Sequence, residues 1–206
     1  MPAGTYVTGS TGFFPGLGIT IPDGWTATES DAGEISLHPL NRPNESLLLW
    51  KDLAAVVTNN REQTVGDVRD DIGRTSDALL EWLTTTTDFT ILAQPEQVTV
   101  GDSIKGTQLT LGVSGTANFA MDECPDNPKC AAIFTDPRHW ESVYAIGGDE
   151  VARIFIATAA FPDGDHTFFV TLDAPSQEEL VKLAAESELI IESLRLPASY
   201  ADTESR

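Results

Sequence analysis

The chain has 206 residues, enough for one well-buried core, and no Pro/Ser/Gly-rich linker divides it, so one domain is expected. Acidic residues number 32 against 12 basic ones, giving a formal net charge of −20 that is spread along the whole length. A surface of that sign repels phosphate backbones and anionic headgroups, whose recognition needs clustered Lys and Arg, and this argues against nucleic-acid and peripheral membrane binding.

The first 18 residues are rich in Gly, Thr and Ser and read as an irregular lead-in (1–18). The expected α+β domain covers 19–197, and 198–206 reads as a frayed tail. Ile19-Thr-Ile21 alternates, and Pro22-Asp-Gly-Trp25 makes a turn that delivers a large aromatic to one end of the core. Ile35–Pro39 and Ser46–Leu53 read as paired strands, because Leu40-Asn-Arg-Pro-Asn-Glu45 clusters the residues that reverse a chain. From Asn59 to Arg74 the sequence is polar, with Val65, Val68 and Ile72 supplying only a weak helical period.

Thr75-Ser-Asp77 is a helix start, followed by Leu79, Trp82 and Leu83 at helical spacing and stopped by Thr84-Thr-Thr-Thr87. Phe89–Leu92 is a short strand, and Gln97–Val100 with Ile104–Leu111 is a hairpin across Gly101-Asp-Ser. Ala131–Phe134 follows, and Val143–Ile146 is expected to form a third hairpin with the next strand across Gly147–Glu150. That strand, Val151–Phe161, is a nearly unbroken apolar run rich in β-branched and aromatic residues, so it is placed inside a sheet with both faces covered.

Pro162-Asp-Gly-Asp165 turns the chain back into Thr167–Leu172. Ser176-Gln-Glu-Glu179 is a capping box that opens a helix with Leu180, Leu183, Ala184, Ser187, Ile191 and Leu194 on one stripe. The sum is an α+β fold with a mostly antiparallel sheet of about seven to nine strands covered by two main helices.

No apolar run approaches the roughly 18 residues of a spanning helix, so no membrane span is expected. Met1-Pro-Ala-Gly-Thr-Tyr6 has neither a charged n-region nor an apolar h-region, which fits either a cytoplasmic protein or one whose export signal or lipid anchor lies upstream of Met1. Cys124 and Cys130 bracket Pro-Asp-Asn-Pro-Lys, where a local disulfide is sterically accessible. Such a bridge favours an oxidising compartment, so an extracytoplasmic location is expected.

Gly4-Thr-Tyr6, Ile19-x-Ile21-Pro-x-Gly-Trp25, the Asp77…Trp82-Leu83 helix, the Val98-Thr-Val100-Gly101…Gly106…Leu109 hairpin and Ile190-Ile-Glu-Ser-Leu194 together resemble a group of uncharacterised exported or lipid-anchored bacterial proteins. Their plan is similar to the PsbP-like fold, an antiparallel sheet between helices. The resemblance runs from Gly4 to Leu196, departs at Gly101-Asp-Ser-Ile104 and does not cover the cysteine loop. It implies a location and a docking or binding role, and carries over no catalytic residue.

The chain has no Gly-x-Ser-x-Gly elbow, His-Glu-x-x-His, Cys-x-x-Cys, phosphate loop or complete Gly-x-Gly-x-x-Gly. The best local cluster of acid and imidazole is Asp136, His139 and Glu141 beside Trp140, which sets up an alternative reading as a hydrolase or metal-dependent enzyme. Asp163-Gly-Asp-His166 has half the oxygen spacing of a calcium loop and reads as a hairpin turn. His38, before Pro39, is placed at a sheet edge, and Ser10 and Ser114 have no nearby base. The leading expectation is a noncatalytic extracytoplasmic module, without a cofactor, that binds a protein partner, an envelope component or a small ligand.

Overall fold

A computed structural model describes residues 1–9, 14–29, 33–56, 68–69, 71–117 and 129–197, with the side chains of 139–142 outside that description. In chain order the elements are β1 (Gly4–Val7), β2 (Gly18–Ile21), β3 (Trp25–Glu29), β4 (Ile35–Pro39), β5 (Ser46–Lys51), β6 (Ala54–Ala55), α1 (Ser76–Thr85), β7 (Phe89–Val100), β8 (Ile104–Val113), β9 (Cys130–Asp136), β10 (His139–Gly147), β11 (Val151–Phe161), β12 (Gly164–Ala174) and α2 (Gln177–Glu192). The protein is α+β. A seven-stranded antiparallel sheet runs in the order β3-β4-β5-β12-β11-β8-β7, with a three-stranded sheet β10-β9-β6 and the pair β1-β2 beside it.

Side-chain alternation decides which layer each strand serves. On β11, Val151, Phe155 and Ala157 enter the core under α2, whereas Ala152, Ile154 and Ile156 enter the core under α1 and the small sheet. Both edges of β11 are paired, to β12 and to β8, and both of its faces are covered by these core layers, which is why the Val151–Phe161 run is apolar throughout. On β12, Phe168, Val170 and Leu172 point to α2 and Phe169 to the other layer. The alternation then carries Thr171 and Asp173 to that second layer.

The helices begin where their caps are. Thr75 accepts from the Ala78 N–H at 3.3 Å, and α1 buries Leu79, Trp82 and Leu83. In its last turn Thr84 and Thr85 donate their hydroxyls to the carbonyls of Leu80 and Glu81, and the helix ends at Thr85. Ser176 accepts from the Glu179 N–H at 3.3 Å and donates to Glu179 Oε2 at 3.0 Å, a variant of the capping box in which the carboxylate holds the hydroxyl. In α2 the buried stripe is Leu180, Leu183, Ser187 and Ile190; Ile191 is half-buried at its margin.

Several sequence expectations change. Val143–Ile146 does not pair with β11: β10 pairs with β9 instead, in a separate sheet. With both edges of β11 taken by stronger neighbours, the chain turns out of the main sheet at Gly147–Glu150. Phe89–Val100 is one strand with two register shifts, and Pro95 fits there because β7 is an edge strand. Trp25–Glu29 forms a strand outside β4, so His38 is not at an edge. Gly4–Val7, within the lead-in, pairs with β2. The weak helical period at 59–74 and the tail at 198–206 lie mostly or wholly outside the described residues.

The β7–β8 turn is pinned to the end of α2. Gly101 (φ +59°) donates its N–H to the Ile191 carbonyl at 3.1 Å, and a Cβ added there would lie 2.1 Å from the Leu194 carbonyl oxygen. Gly101→Ala is expected to cost about 2–4 kcal/mol in urea unfolding, from left-handed backbone strain plus the clash. Asp102→Ala in the same turn, where the carboxylate is exposed, should change stability by less than about 1 kcal/mol. Equal effects at the two positions would contradict the docking of this turn on α2.

Candidate functional site

The small sheet covers only part of the main sheet, and beyond its β10 edge a cleft of about 320 Å³ opens over β4 and β5. The floor and inner wall come from strand positions facing this layer: Ser46, Leu48 and Trp50 of β5, Asp173 of β12 and His38 of β4. Val143, Tyr144, Ala145 and Ile146 of β10 form the opposite wall, and Glu34, Pro43, Asn44 and Glu150 complete the rim. Register explains the gathering: Ser46 pairs with Asp173 and Ser36 with Leu48, so alternate residues of three adjacent strands share one face.

At the floor, the Tyr144 hydroxyl donates to Asp173 Oδ1 and the Ser46 hydroxyl donates to Oδ2 at 2.8 Å. Burial pushes the Asp173 carboxyl up to about 7, against the lowering effect of those two donors, and the charges of Glu150 and Glu34 add to the rise. Burial, then the Asp173 charge, holds the Tyr144 phenol well above its ordinary range. Glu34 is likewise raised by burial, opposed by Ser36 and His38. Glu150 is anchored by the Gly147 N–H at 2.7 Å.

His38 is set by its neighbours. Its Nε2 lies 2.6 Å from Ser36 Oγ and its Nδ1 3.0 Å from the Glu45 carbonyl oxygen. The carbonyl can only accept, so the proton between them is carried by Nδ1. Trp50 is 4% exposed, and its indole N–H has no hydrogen-bond partner among the described residues. Its ring lies 6.2 Å from that of Tyr144 at an interplanar angle of 46°.

The residues singled out in the sequence fall elsewhere. Asp136 is 1% exposed, and its carboxylate is held by Arg138 through Nε at 2.9 Å, Nη2 at 2.8 Å and the backbone N–H at 2.8 Å. That arrangement organises the β9–β10 turn. The side chains of His139 and Glu141 lie outside the described residues, as do Cys124 and Ser10; Cys130 is buried at the start of β9. The Ser114 hydroxyl donates to the Thr87 carbonyl at 2.7 Å.

The Asp163–His166 segment is a hairpin turn, as expected, with Phe161 paired to Gly164. It also closes a clamp. His166 Nδ1 lies 2.6 Å from Asp52 Oδ2, and Asp163 Oδ2 accepts from the buried Lys51 at 3.1 Å. Burial alone would raise the Asp163 carboxyl, but the Lys51 hydrogen bond and the His166 charge hold it below the ordinary range. Asp52 takes a left-handed backbone (φ +57°) to place Oδ1 3.2 Å from the Thr167 N–H. The clamp ties β5 to the β11–β12 turn.

Two other grooves are larger, about 600 Å³ between α2 and the turns at Trp25 and Leu40, and about 410 Å³ beside α1. Neither has a buried carboxyl among its lining residues, so the smaller cleft is the better chemical candidate.

No protein-family model matches the chain, and no curated protein matches it. Similar solved structures include a protein of Bacteroides thetaiotaomicron, with 10% identity and a TM-score of 0.46 over 96% of this chain and 50% of that one. The present chain thus spans half the length of that protein. Another is LpqN, involved in cell envelope biogenesis of Mycobacterium tuberculosis, with 14% identity and a TM-score of 0.46 over 94% of this chain and 90% of that one.

Asp173 gives the site a pH signature. Its folded value lies above the roughly 3.9 of an unfolded aspartate, so its contribution to stability is complete below about pH 4 and is lost as pH rises towards about 7. The full shift corresponds to at most about 4 kcal/mol, reduced by solvent at this partly exposed position. Urea unfolding at about pH 4 and about pH 8 should show wild type losing more stability over that interval than Asp173→Asn. Parallel profiles for the two proteins would show that the carboxyl is not held up by its surroundings.

Proposed function

We propose that this protein is a noncatalytic binding module, working outside the cytoplasm, that holds a small polar ligand in the cleft between β4, β5 and β10. The observation that carries the proposal is the preformed polar floor, in which Asp173, Tyr144 and Ser46 are fixed by one another at the bottom of an open concave site. Ligand sites characteristically combine apolar and aromatic walls with a few well-placed polar groups, and 320 Å³ lies at the small-metabolite end of their range. Trp50, Leu48, Tyr144 and Ile146 supply those walls.

The extracytoplasmic part of the proposal, with a lipid anchor or export signal upstream and a PsbP-like plan, rests on the sequence resemblance and on the cysteine pair. A bridge between Cys124 and Cys130 belongs to the same proposal. Protein isolated without reductant and then unfolded in denaturant should take up a thiol label only after reduction. Labelling before reduction would remove this support for an oxidising compartment.

The cleft is tested with a library of small polar metabolites and envelope fragments, read by thermal shift and by ¹H–¹⁵N spectra. At least one compound should raise the wild-type melting temperature and shift the amides of Ser46, Tyr144 and Asp173. Asn44→Trp places a bulky side chain at the exposed rim and should suppress that response while leaving the unliganded melting temperature within about 2 °C. Ligands that shift only residues distant from the cleft, or bind Asn44→Trp unchanged, would refute the assignment.

A further inference from the structure

The chain crosses from the main sheet to the small one at a tight corner. β5 ends at Lys51, Asp52 takes the left-handed backbone (φ +57°), and after Leu53 the chain enters β6, which pairs with β9. That conformation is uncommon for a residue with a side chain and persists where its surroundings hold it. Thr167 of β12 supplies part of the hold: its carbonyl accepts from the Asp52 N–H at 2.8 Å, and its N–H donates to Asp52 Oδ1 at 3.2 Å. The other oxygen, Oδ2, faces His166 Nδ1 at 2.6 Å.

The far side of the imidazole decides how many protons it carries. Nε2 is closed to solvent and lies 3.1 Å from Asp163 Oδ1, within ion-pair distance although not aligned for a hydrogen bond. A neutral ring that gave its one proton to Asp52 would turn the Nε2 lone pair towards a carboxylate oxygen. An imidazolium has a proton for each side. Among the described residues the charged groups around it are Asp52 and Lys51 at the end of β5 and Asp163 in the β11–β12 turn, so the protonated ring makes two cations for two anions. From β11 the Phe161 ring lies edge-on to the imidazole at 5.8 Å and 5.1 Å from Lys51 Nζ. Arg74, before α1, reaches the corner through its carbonyl, which accepts from the Thr167 hydroxyl at 2.6 Å.

We propose that His166 is a proton-operated latch on this corner: as the imidazolium it holds Asp52 against the β11–β12 turn and so fixes β6, and loss of its proton frees the corner to move. Deprotonation leaves one cation for two carboxylates and takes a donor from one of them. Lys51 is paired with Phe168 inside the seven-stranded sheet, whereas β6 has two residues and follows the corner after Leu53 alone, so the short strand is the side that yields. The protonated form is the one that gains partners on folding. The seating of β6 on β9 is therefore firmest in acid and weakens as pH rises through the imidazole range, roughly pH 5 to 8.

The test is ¹H–¹⁵N spectroscopy of the whole chain from about pH 5 to about pH 9, following the His166 ring nitrogens with the amides of Asp52, Leu53, Ala54, Ala55 and Thr167. At the acid end both ring nitrogens should be protonated, and the amides should move with the midpoint of the ring. Hydrogen exchange at the protected amides of the β6–β9 pair, corrected for intrinsic rate, should be at least about tenfold faster on the alkaline side. His166→Gln, neutral throughout, should abolish both responses, and Asp163→Asn should carry ring and amides together to lower pH. Asp173 titrates in the same range from the cleft floor, so the series is repeated in Asp173→Asn, where the latch response should persist. A ring with a single proton at the acid end, β6 exchange that ignores the ring's midpoint, ring and amides that separate in Asp163→Asn, or a response lost in Asp173→Asn would each overturn the latch.

Discussion

Asp173 joins two sheets. Its carboxyl is on β12 of the main sheet, receives a hydrogen bond from Ser46 on the neighbouring β5, and receives another from Tyr144 on β10 of the small sheet. Removing a carboxyl group from water is unfavourable unless its oxygens are satisfied, and both oxygens here are satisfied by side chains from different elements. The position of β10 over the main sheet and the polarity of the cleft floor are therefore one constraint. An apolar residue in place of Asp173 would leave the Tyr144 hydroxyl seeking a new acceptor at a buried position.

The rest of the architecture keeps that contact in place. Two apolar layers lie on opposite faces of the main sheet, one under α2 and one under α1 and the small sheet. In the second layer Trp82, Phe134 and Phe169 form a chain of ring contacts, with Trp82 to Phe134 at 5.9 Å and Phe134 to Phe169 at 4.9 Å. Phe134 belongs to β9 and is the cross-strand partner of Tyr144, so this packing holds the small sheet down on the same face as the Asp173 contact. The cleft is what remains uncovered when β10-β9-β6, a sheet with fewer strands, packs on a main sheet wide enough to extend past it to β4 and β3.

Much of the fold was legible in the sequence because its signals are local. Thr75 and Ser176 mark helix starts through their own hydroxyls, and the apolar run of β11 reports two covered faces. The β7–β8 turn is announced by Gly101. Strand partnership was less legible: Gly147–Glu150 has the composition of a hairpin turn, yet the edges of β11 were taken by β8 and β12, whose long registers are a nonlocal property. The clustering of Asp136, His139 and Glu141 along the chain drew attention to a segment where Asp136 is held by Arg138.

The cleft left almost no trace in the sequence, because Glu34, His38, Ser46, Trp50, Tyr144, Glu150 and Asp173 come from four separate segments. The available signal was on β12, where the inward alternation Phe169–Thr171–Asp173 ends in an acid on a face that is otherwise core. A carboxyl at such a position needs donors from other elements, and a search for an interface follows from that requirement.

The cleft floor depends on Asp173 being held, half-buried, between Ser46 and Tyr144, with Glu34 and Glu150 close enough to act on its charge. The most direct measurement is a carboxyl-carbon NMR titration of the assigned Asp173 side chain from about pH 3 to about pH 9. The account requires an inflection at about 7, accompanied by shifts at Tyr144 and Glu150. An inflection in the ordinary aspartate range, near 3.9, with neighbouring signals unmoved, would contradict it.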